Sequence, residues 1–283
     1  MKQINESVPE NFDGRLIKDY LRYCLNFSAT LIKKVKFGGV SVNGEVVTMR
    51  RILHTGDTVT ETLTSENSEG IMPVNEKLNL LYEDEYILLA DKPTNMPTHP
   101  SRFNSLVTLA NLVRAHVGAP FVFRAISRLD RDTSGIVLIA KDPMSASKLN
   151  ADIKAGKIEK VYTAVLKNAP KELFGVIDAP IEREAEDSIK RVVREDGKRA
   201  VTEYKITKIL SDGRAIAEVR PITGRTHQIR VHMAHIGAPL DNDFLYGERV
   251  GDECYFLRCT SLTFTHPITN EKMTVTADLN LDI

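Results

Sequence analysis

The sequence predicts an α+β protein: a mostly antiparallel β-sheet domain with flanking helices follows a small α/β N-terminal domain. Two observations predict this class. Segments rich in Val, Ile, Thr and Tyr, which favour strands, outnumber helical segments after residue 77. A polar segment containing Gly70 and Pro73 separates them from a shorter stretch of helices and a hairpin. We therefore expect domains at 1–63 and 77–283, joined by a linker at 64–76.

In the N-terminal domain, two helices are expected to precede a β-hairpin. The apolar positions of GRLIKDYLRYCL share one helical face. Ser28 is a good N-cap for the helix in ATLIKKVKF, and Gly38 can end that helix. Asn43-Gly44, within VSVNGEVV, is a strong signal for a two-residue hairpin. A last short strand should follow the next Gly-Asp turn.

The second domain begins with two apolar runs, LNLLY and YILLADK, around an acidic turn. Further strands are predicted in GIVLIAKD, KVYTAVL, RAVTEYKITKIL, RAIAEVRPI and SLTFTH. Helices are predicted in NSLVTLANLVRAHV and PMSASKLNADIKAG, and in a segment that follows Arg225 and ends at Gly237. Thr226 can cap that last helix.

Composition excludes several classes of protein. There are 38 basic and 38 acidic residues, so a nucleic-acid partner is not favoured by total charge and would depend on local clusters. The three cysteines (Cys24, Cys254 and Cys259) form no C-x-x-C pair, which argues against a disulfide framework or a cysteine zinc site. The first residues lack the apolar core of a signal peptide, and no apolar run could span a bilayer. We expect a cytoplasmic protein that is a monomer.

One polar turn precedes a strongly apolar strand, in Arg128-Leu129-Asp130-Arg131-Asp132-Thr133-Ser134-Gly135. On this segment alone, Asp130 is explained as a turn carboxylate beside Thr, Ser and Gly. Asp130 and Asp132 together could also be the acid/base pair of a glycoside hydrolase. The segment by itself leaves both interpretations open.

Four segments, taken in order, resemble the signature of the RluA-type pseudouridine synthases: DKPTNMPTHP, SRLDRDTSGIVLIAKD, KVYTAVL and PITGRTHQIRVHMAHIGAPL. The resemblance covers the chain from Lys77 onward. It implies an isomerase that converts uridine in structured RNA to pseudouridine without a metal or other cofactor. The chain departs from the family pattern in having Ser127 for a histidine, Asn242 for a glycine and Arg258-Cys259 for a His-Ala pair.

The resemblance also implies the site. It makes Asp130 the catalytic residue, acting as nucleophile or as base, and maps the arginine that keeps this carboxylate ionised and oriented onto Arg225. It places the ring of Tyr162 against the flipped base, near carbon 5, and makes Tyr162 a catalytic residue whose phenol oxygen could accept the carbon 5 proton. The expected substrate-binding residues are Arg128, Lys160, Thr133, His227, Gln228 and Arg230.

The N-terminal pattern resembles the small RNA-binding domain first seen in ribosomal protein four of the small subunit. The matching basic residues are Lys33, Lys34, Lys36, Arg50 and Arg51. Phosphate contacts by such a cluster give affinity without reading sequence. Large-subunit ribosomal RNA is the favoured substrate and transfer RNA is an alternative. A non-catalytic RNA-binding or ribosome-assembly factor on the same fold also remains open.

Overall fold

The computed structural model describes residues 2–63, 70–100, 107–248 and 254–279. Within these ranges the strands form three sheets. The first has four strands in the order β1-β4-β2-β3, and it lies entirely before the predicted linker. Its strands are β1 (Lys2–Ser7), β2 (Val40–Val42), β3 (Glu45–Val46) and β4 (Thr58–Leu63).

The two predicted N-terminal helices are present. The first, α1 (Ile17–Asp19), continues into a π-helical turn at Tyr20–Cys24, and the second is α2 (Ala29–Val35). Ser28 caps α2, because its side chain accepts a hydrogen bond from the Leu31 N–H at 3.1 Å. The apolar faces of both helices pack into one core with the sheet.

The predicted hairpin joins β2 to β3. Asn43 and Gly44 have φ angles of 50° and 86°, as a type I′ turn requires. Strand β1 was not predicted, yet it pairs with β4 over the whole of Lys2–Ser7. Of the predicted linker, residues 64–69 lie outside the described ranges, so the domain boundaries remain a prediction.

The second sheet holds ten strands of the described chain, in the order β10-β13-β14-β9-β15-β8-β6-β5 with β16 and β7 at its side. All of its pairings are antiparallel except that of β15 with β8. The predicted α+β class is therefore confirmed. The strands are β5 (Leu80–Glu83), β6 (Ile87–Lys92), β7 (Arg124–Ala125), β8 (Ser134–Ala140), β9 (Glu159–Leu166), β10 (Phe174–Asp178), β13 (Val201–Ile209), β14 (Ala215–Pro221), β15 (Leu257–Thr265) and β16 (Lys272–Thr276).

A two-stranded hairpin, β11 (Ile181–Arg183) with β12 (Arg191–Val193), projects between β10 and β13 in the chain. It packs against the last helix through a small cluster of Ile181, Ala200 and Val231. Both strands are short, and sequence patterns did not predict them.

In the described part of the chain, three helices accompany the large sheet: α3 (Leu109–Val117), α4 (Pro143–Lys154) and α5 (Gln228–His235). The N-cap of α5 is His227, in the left-handed region at φ 56°. The prediction that Thr226 caps this helix is therefore wrong, since the chain turns sharply one residue later. None of the described helices is both long and apolar enough to cross a bilayer.

The N-terminal domain contacts helix α4. The Ser28 N–H donates to Ser147 Oγ at 3.0 Å, and the Ser147 hydroxyl donates to the Asn26 carbonyl at 2.6 Å. Lys148 pairs with Glu6 at 3.0 Å. These contacts connect the predicted RNA-binding domain to the helix that follows β8.

Candidate active site

A cavity of about 530 Å³ opens beside the start of β8. Its lining includes all nine residues that the sequence predicted for catalysis and substrate binding: Arg128, Asp130, Thr133, Lys160, Tyr162, Arg225, His227, Gln228 and Arg230. Its volume falls in the ordinary range for a small-molecule site and can hold one nucleotide. Five of the described lining residues are cations, and Asp130 is the one carboxylate among them. The neutral total charge of the chain thus conceals a basic cavity.

Asp130 begins a turn that leads into β8. The Thr133 N–H donates to the Asp130 carbonyl at 3.2 Å, which closes the turn. Just before it, Thr98 bonds the Leu129 backbone through both its hydroxyl proton and its oxygen. The Asp130 side chain is 33% exposed, so it is accessible from the cavity while its backbone is held on both sides.

Lys92, at the end of β6, holds the Asp130 loop by a hydrogen bond to its backbone. Its side chain is fully buried, and its ammonium donates to the carbonyls of Pro93, Met96 and Arg131 at 2.7–3.0 Å. Burial lowers the pKa of Lys92 to about 8, against the charges of Asp132, Asp130 and Asp91. These hydrogen bonds link the loop that follows β6 to the Asp130 loop, a contact that sequence patterns did not predict.

Asp132 has a different environment from Asp130. It is 6% exposed and accepts two hydrogen bonds from the Arg131 guanidinium, at 2.7 and 2.9 Å. It is absent from the described lining of the cavity. The glycoside hydrolase interpretation needs both carboxylates at the substrate, and this geometry argues against it.

Arg230, on α5, is the arginine beside Asp130. Its Nη1 lies 3.8 Å from Asp130 Oδ2. Its Nε and Nη2 donate to the two oxygens of Asp243 at 2.7 Å each, and Asp243 is fully buried. Such a bidentate pair fixes the plane of the guanidinium.

Three aromatic rings of the described residues lie near the same guanidinium. Its carbon lies 4.4 Å from the ring centroid of Tyr255, 4.9 Å from that of Tyr246 and 5.9 Å from that of Phe244. The positive charge is thus stabilised by the ring faces as well as by Asp243. Arg230 is a buried, fixed cation aimed at Asp130.

Arg225 does not form the predicted pair with Asp130. Its side chain is exposed, and its Nε donates to the Arg199 carbonyl at 2.9 Å. Arg225 lies before the start of α5, whereas Arg230 lies within it. The arginine predicted to hold Asp130 is therefore corrected to Arg230, and Arg225 lies at the rim of the cavity.

His227 is the second group beside Asp130. Its Nε2 lies 3.9 Å from Asp130 Oδ2, and its Nδ1 lies 2.7 Å from the hydroxyl oxygen of Tyr246. Burial lowers the pKa of His227, and the charge of Arg230 adds to that effect while Asp130 opposes it. A neutral imidazole at neutral pH follows.

Tyr162, on β9, lies on the opposite side of β15 from β8 and lines the cavity. Burial raises its pKa well above the ordinary value, and the thiol of Cys259 and the charge of Asp130 act in the same direction. Cys259 is its register partner on β15. The phenol of Tyr162 therefore keeps its proton in the resting protein. Lys160 lines the cavity two residues earlier on β9, and burial lowers its pKa.

Gln228 uses its whole amide inside the protein. Its Nε2 donates to the Val201 carbonyl and to Thr202 Oγ1, each at 2.9 Å. Its Oε1 accepts from the Thr223 hydroxyl at 2.8 Å and from the Arg225 N–H at 3.0 Å. No donor or lone pair remains for a substrate. Gln228 is thus a cross-link between α5 and β13, which corrects the prediction that it contacts the substrate.

The other predicted substrate residues differ in their access to the cavity. Arg128 is exposed, whereas Thr133 is 2% exposed and its hydroxyl lies 3.3 Å from that of Tyr255. Among the residues that the structure describes, no group of three or more His, Cys, Asp or Glu is placed to hold a metal ion.

Comparison with known proteins decides the family. Residues 86–235, just over half of the chain, match the family model for RNA pseudouridylate synthase. The chain is 37% identical to the Bacillus subtilis protein named uncharacterized RNA pseudouridine synthase YjbO, across 92% of this chain and 94% of that one. The chain belongs to the RNA pseudouridine synthase family. It is an isomerase that converts uridine in RNA to pseudouridine, as its RluA-type motifs predicted.

Two further similarities agree with this. The chain is 33% identical to the Xanthomonas campestris protein named ribosomal large subunit pseudouridine synthase D, across 98% of this chain and 89% of that one. The solved structure of human RNA pseudouridylate synthase domain containing 1 covers 72% of this chain and 84% of its own, with a TM-score of 0.61 and 24% identity. The latter likeness shows the fold.

The departures from the synthase pattern fit the structure. Asn242 has φ 61°, a conformation that glycine adopts freely and asparagine tolerates better than other residues. Arg258 pairs with Asp91 at 2.7 Å and donates to the Asp278 carbonyl at 3.0 Å. Ser127 lines the cavity. None of these positions disturbs the groups around Asp130.

Sequence patterns did not predict several residues that hold the groups around Asp130. Asp243, Tyr246 and Tyr255 hold Arg230, and Lys92 holds the Asp130 loop. Two signals were available: Lys92 belongs to DKPTNMPTHP, and Asp243 and Tyr246 belong to the tail PLDNDFLYG. The five basic residues predicted to bind RNA are all exposed on the N-terminal domain.

Proposed function

We propose that this synthase acts on uridines of large-subunit ribosomal RNA and that Asp130 is its catalytic residue. The supporting observation is one accessible carboxylate facing a fixed cation in a basic cavity of nucleotide size. The ribosomal assignment is supported by the relatives from Xanthomonas campestris and Pseudomonas aeruginosa, whose names specify the large ribosomal subunit. Transfer RNA is the alternative substrate, and the proposal includes a cytoplasmic location.

In the proposed reaction, the target uridine leaves its stack at a cost of a few kcal/mol and enters the cavity. The glycosidic bond breaks, the base turns, carbon 5 joins the sugar and its proton leaves. Asp130 acts as nucleophile or as base at the sugar. Arg230 takes the role first predicted for Arg225, because its guanidinium is held by Asp243 with Nη1 3.8 Å from Asp130 Oδ2.

Tyr162 is proposed to stack against the turned base. Because its pKa is raised by burial, the neutral phenol offers a ring face and a hydrogen-bond donor more readily than a basic oxygen. Accepting the carbon 5 proton would require Tyr162 to give up its own proton in the same step. Lys160 and the exposed Arg128 and Arg225 are proposed to contact the phosphates beside the target.

The N-terminal domain is proposed to hold the surrounding RNA through Lys33, Lys34, Lys36, Arg50 and Arg51. All five side chains are exposed. Phe37, next to them, is 85% exposed, and the Lys36 ammonium lies 5.1 Å from its ring centroid. An exposed ring beside a cation is a surface on which an unpaired base can stack.

The test is to map pseudouridine in total RNA from cells with and without the gene. The proposal predicts that one or a few pseudouridines disappear from large-subunit ribosomal RNA and return with the wild-type gene. They should not return with the Asp130→Asn variant. Loss of pseudouridine from transfer RNA alone would contradict the ribosomal assignment and leave the enzyme assignment intact.

A further inference from the structure

His227 lines the cavity beside Asp130, and its ring is held by a tyrosine outside the predicted site. Its Nδ1 lies 2.7 Å from the hydroxyl oxygen of Tyr246, and its Nε2 lies 3.9 Å from Asp130 Oδ2. The two ring nitrogens thus face different partners. Which one carries the proton decides what His227 presents to the cavity.

The hydrogen bonds of Tyr246 decide the location of that proton. The Arg191 N–H, on the β11–β12 hairpin, donates to the Tyr246 hydroxyl oxygen at 2.9 Å. A hydroxyl has a single proton to donate. Within the described ranges, the acceptor at hydrogen-bond distance from this hydroxyl is His227 Nδ1. If the hydroxyl donates its proton to this acceptor, Nδ1 is unprotonated and the ring proton is on Nε2.

The charges around the ring agree with a neutral imidazole. Burial, Arg230 and Arg191 disfavour the charged form, whereas Asp130 and Asp243 favour it, and the pKa of His227 is lowered overall. The Nε2–H group is too far from Asp130, at 3.9 Å, for a hydrogen bond. It is therefore a donor at the cavity that no acceptor of the described chain occupies.

We infer that Tyr246 is a positioning residue that fixes His227 in the Nε2–H tautomer, so that this group donates to an oxygen of the target uridine next to Asp130. The inference rests on the proposed function for its last step only. The tautomer itself is a property of the free protein. The hydrogen bonds of Tyr246 link the Arg191 backbone, on the β11–β12 hairpin, to the His227 ring beside Asp130.

The first test is nitrogen-15 NMR of the histidine rings in the free protein at pH 7, with the His227→Gln variant identifying the signal. The expected spectrum shows a neutral His227 ring with its proton on Nε2. In Tyr246→Phe both tautomers should be populated. A wild-type ring that is charged, or protonated on Nδ1, would overturn the inference whether or not Tyr246→Phe folds.

The second test is a double-mutant comparison of turnover. Tritium release is measured from total RNA that is labelled at uridine carbon 5 and prepared from cells lacking the gene. Tyr246→Phe should lower kcat about tenfold, as the loss of one hydrogen bond can, with little change in KM. In the His227→Gln background, where the side-chain amide has no tautomers, the same change should have little effect.

Tyr204→Phe is the matched control. Tyr204 lies on β13, and its hydroxyl donates to the Glu172 carbonyl at 3.1 Å. The substitution removes a comparable hydrogen bond without touching His227, and kcat should not change. An equal loss of kcat from Tyr246→Phe in both backgrounds would mean a purely structural role and overturn the inference. Absence of tritium release by the wild type would instead contradict the proposed function, and the NMR result would still decide the tautomer.

Discussion

At the scale of single residues, the site depends on the way two fixed groups surround one carboxylate. Arg230 and His227 approach the same oxygen of Asp130, at 3.8 and 3.9 Å. Neither moves freely, since Asp243 and the aromatic rings hold the arginine and Tyr246 holds the histidine. A preorganised charge of this kind stabilises a reacting carboxylate without rearrangement during the reaction.

Arg230 and Arg225 should therefore respond differently to substitution. Arg230→Lys keeps the charge but cannot bond both oxygens of Asp243, and kcat should fall about a hundredfold. Arg225→Met, at the exposed rim, should raise KM and leave kcat near the wild-type value. Tritium release from uridine-labelled RNA measures both, and thermal unfolding checks that each variant folds. A larger loss of kcat for Arg225→Met would restore the original prediction.

Which of these two arginines lies beside Asp130 could not be predicted from the sequence. The motif GRTHQIR contains both residues, and the pattern alone gives no reason to prefer the second. The decision comes from their contacts, since Arg225 donates to the Arg199 carbonyl whereas Arg230 is held by Asp243 beside Asp130. Asp130 and Tyr162 each lie in a sequence motif at a turn or strand, and the structure places both in the lining of one cavity. Asp243 lies 13 residues beyond Arg230, and only the fold brings them together.

At the scale of secondary-structure elements, the contact of β8 with β15 positions the Asp130 loop. Among the described strands, this is the parallel pairing of the large sheet, in which Arg258 is the register partner of Ser134 and Cys259 that of Gly135. A side chain at Gly135 would place its Cβ 2.2 Å from the Cys259 carbonyl oxygen, and its φ of 104° is strained for any other residue. Glycine at the end of the motif is required by this close approach.

Gly135→Ala should therefore lower the free energy of unfolding by roughly 3 kcal/mol or more, through backbone strain and the displacement of β15. Gly213→Ala is the control, because Gly213 also has a positive φ, of 92°, but nothing lies within 4 Å of the added Cβ. It should cost only about 1 kcal/mol. Chemical denaturation measures both, and equal costs would show that the contact with Cys259 is unimportant.

Element by element, the sequence predicted the strands whose residues alternate or run apolar, and both N-terminal helices. It missed β1, because KQINES is almost wholly polar and is a strand only through its pairing with β4. It missed the β11–β12 hairpin because strands of three residues give no detectable period. Both omissions concern strands that depend on a partner distant in the chain.

At the scale of the whole molecule, a buried carboxyl lies near the contact between the N-terminal domain and α4. Glu61, on β4, is fully buried, and neither of its oxygens has a hydrogen-bond partner. Burial raises its pKa to about 8, with a contribution from Glu6, and Lys148 partly opposes this. The uncharged form is therefore the one present in the folded protein at neutral pH.

This predicts a pH-dependent stability. The pKa of Glu61 is about 8 in the folded protein and 4.5 in the unfolded chain. Between these values the folded state binds more protons, so its stability falls as pH rises, by up to ~1.4 kcal/mol per pH unit. Glu61→Met should therefore stabilise the protein more at pH 9 than at pH 5. Denaturation at both pH values tests this, with the exposed Glu203→Met as control, and equal gains at the two pH values would refute it.

The basic N-terminal residues give a second prediction for the whole molecule. Replacing Lys33, Lys34 and Lys36 with Gln should weaken RNA binding. The slope of the logarithm of the binding constant against the logarithm of salt concentration should also become less steep, by up to roughly 0.7–0.9 for each phosphate that the variant no longer neutralises. The control replaces Lys205, Lys208 and Lys272, which are exposed on the strands of the large sheet. Filter binding at several salt concentrations separates the two variants. Identical slopes would place the RNA elsewhere on the protein.

The central claim is that Asp130 carries the isomerisation, and one measurement tests it most directly. Tritium release from carbon 5 of uridine is compared for the wild type and Asp130→Asn, on RNA from cells lacking the gene. The substitution keeps the shape of the side chain and removes its charge. We predict rapid release by the wild type and none above background from the variant, with RNA binding retained. Release by Asp130→Asn at the wild-type rate would contradict the claim.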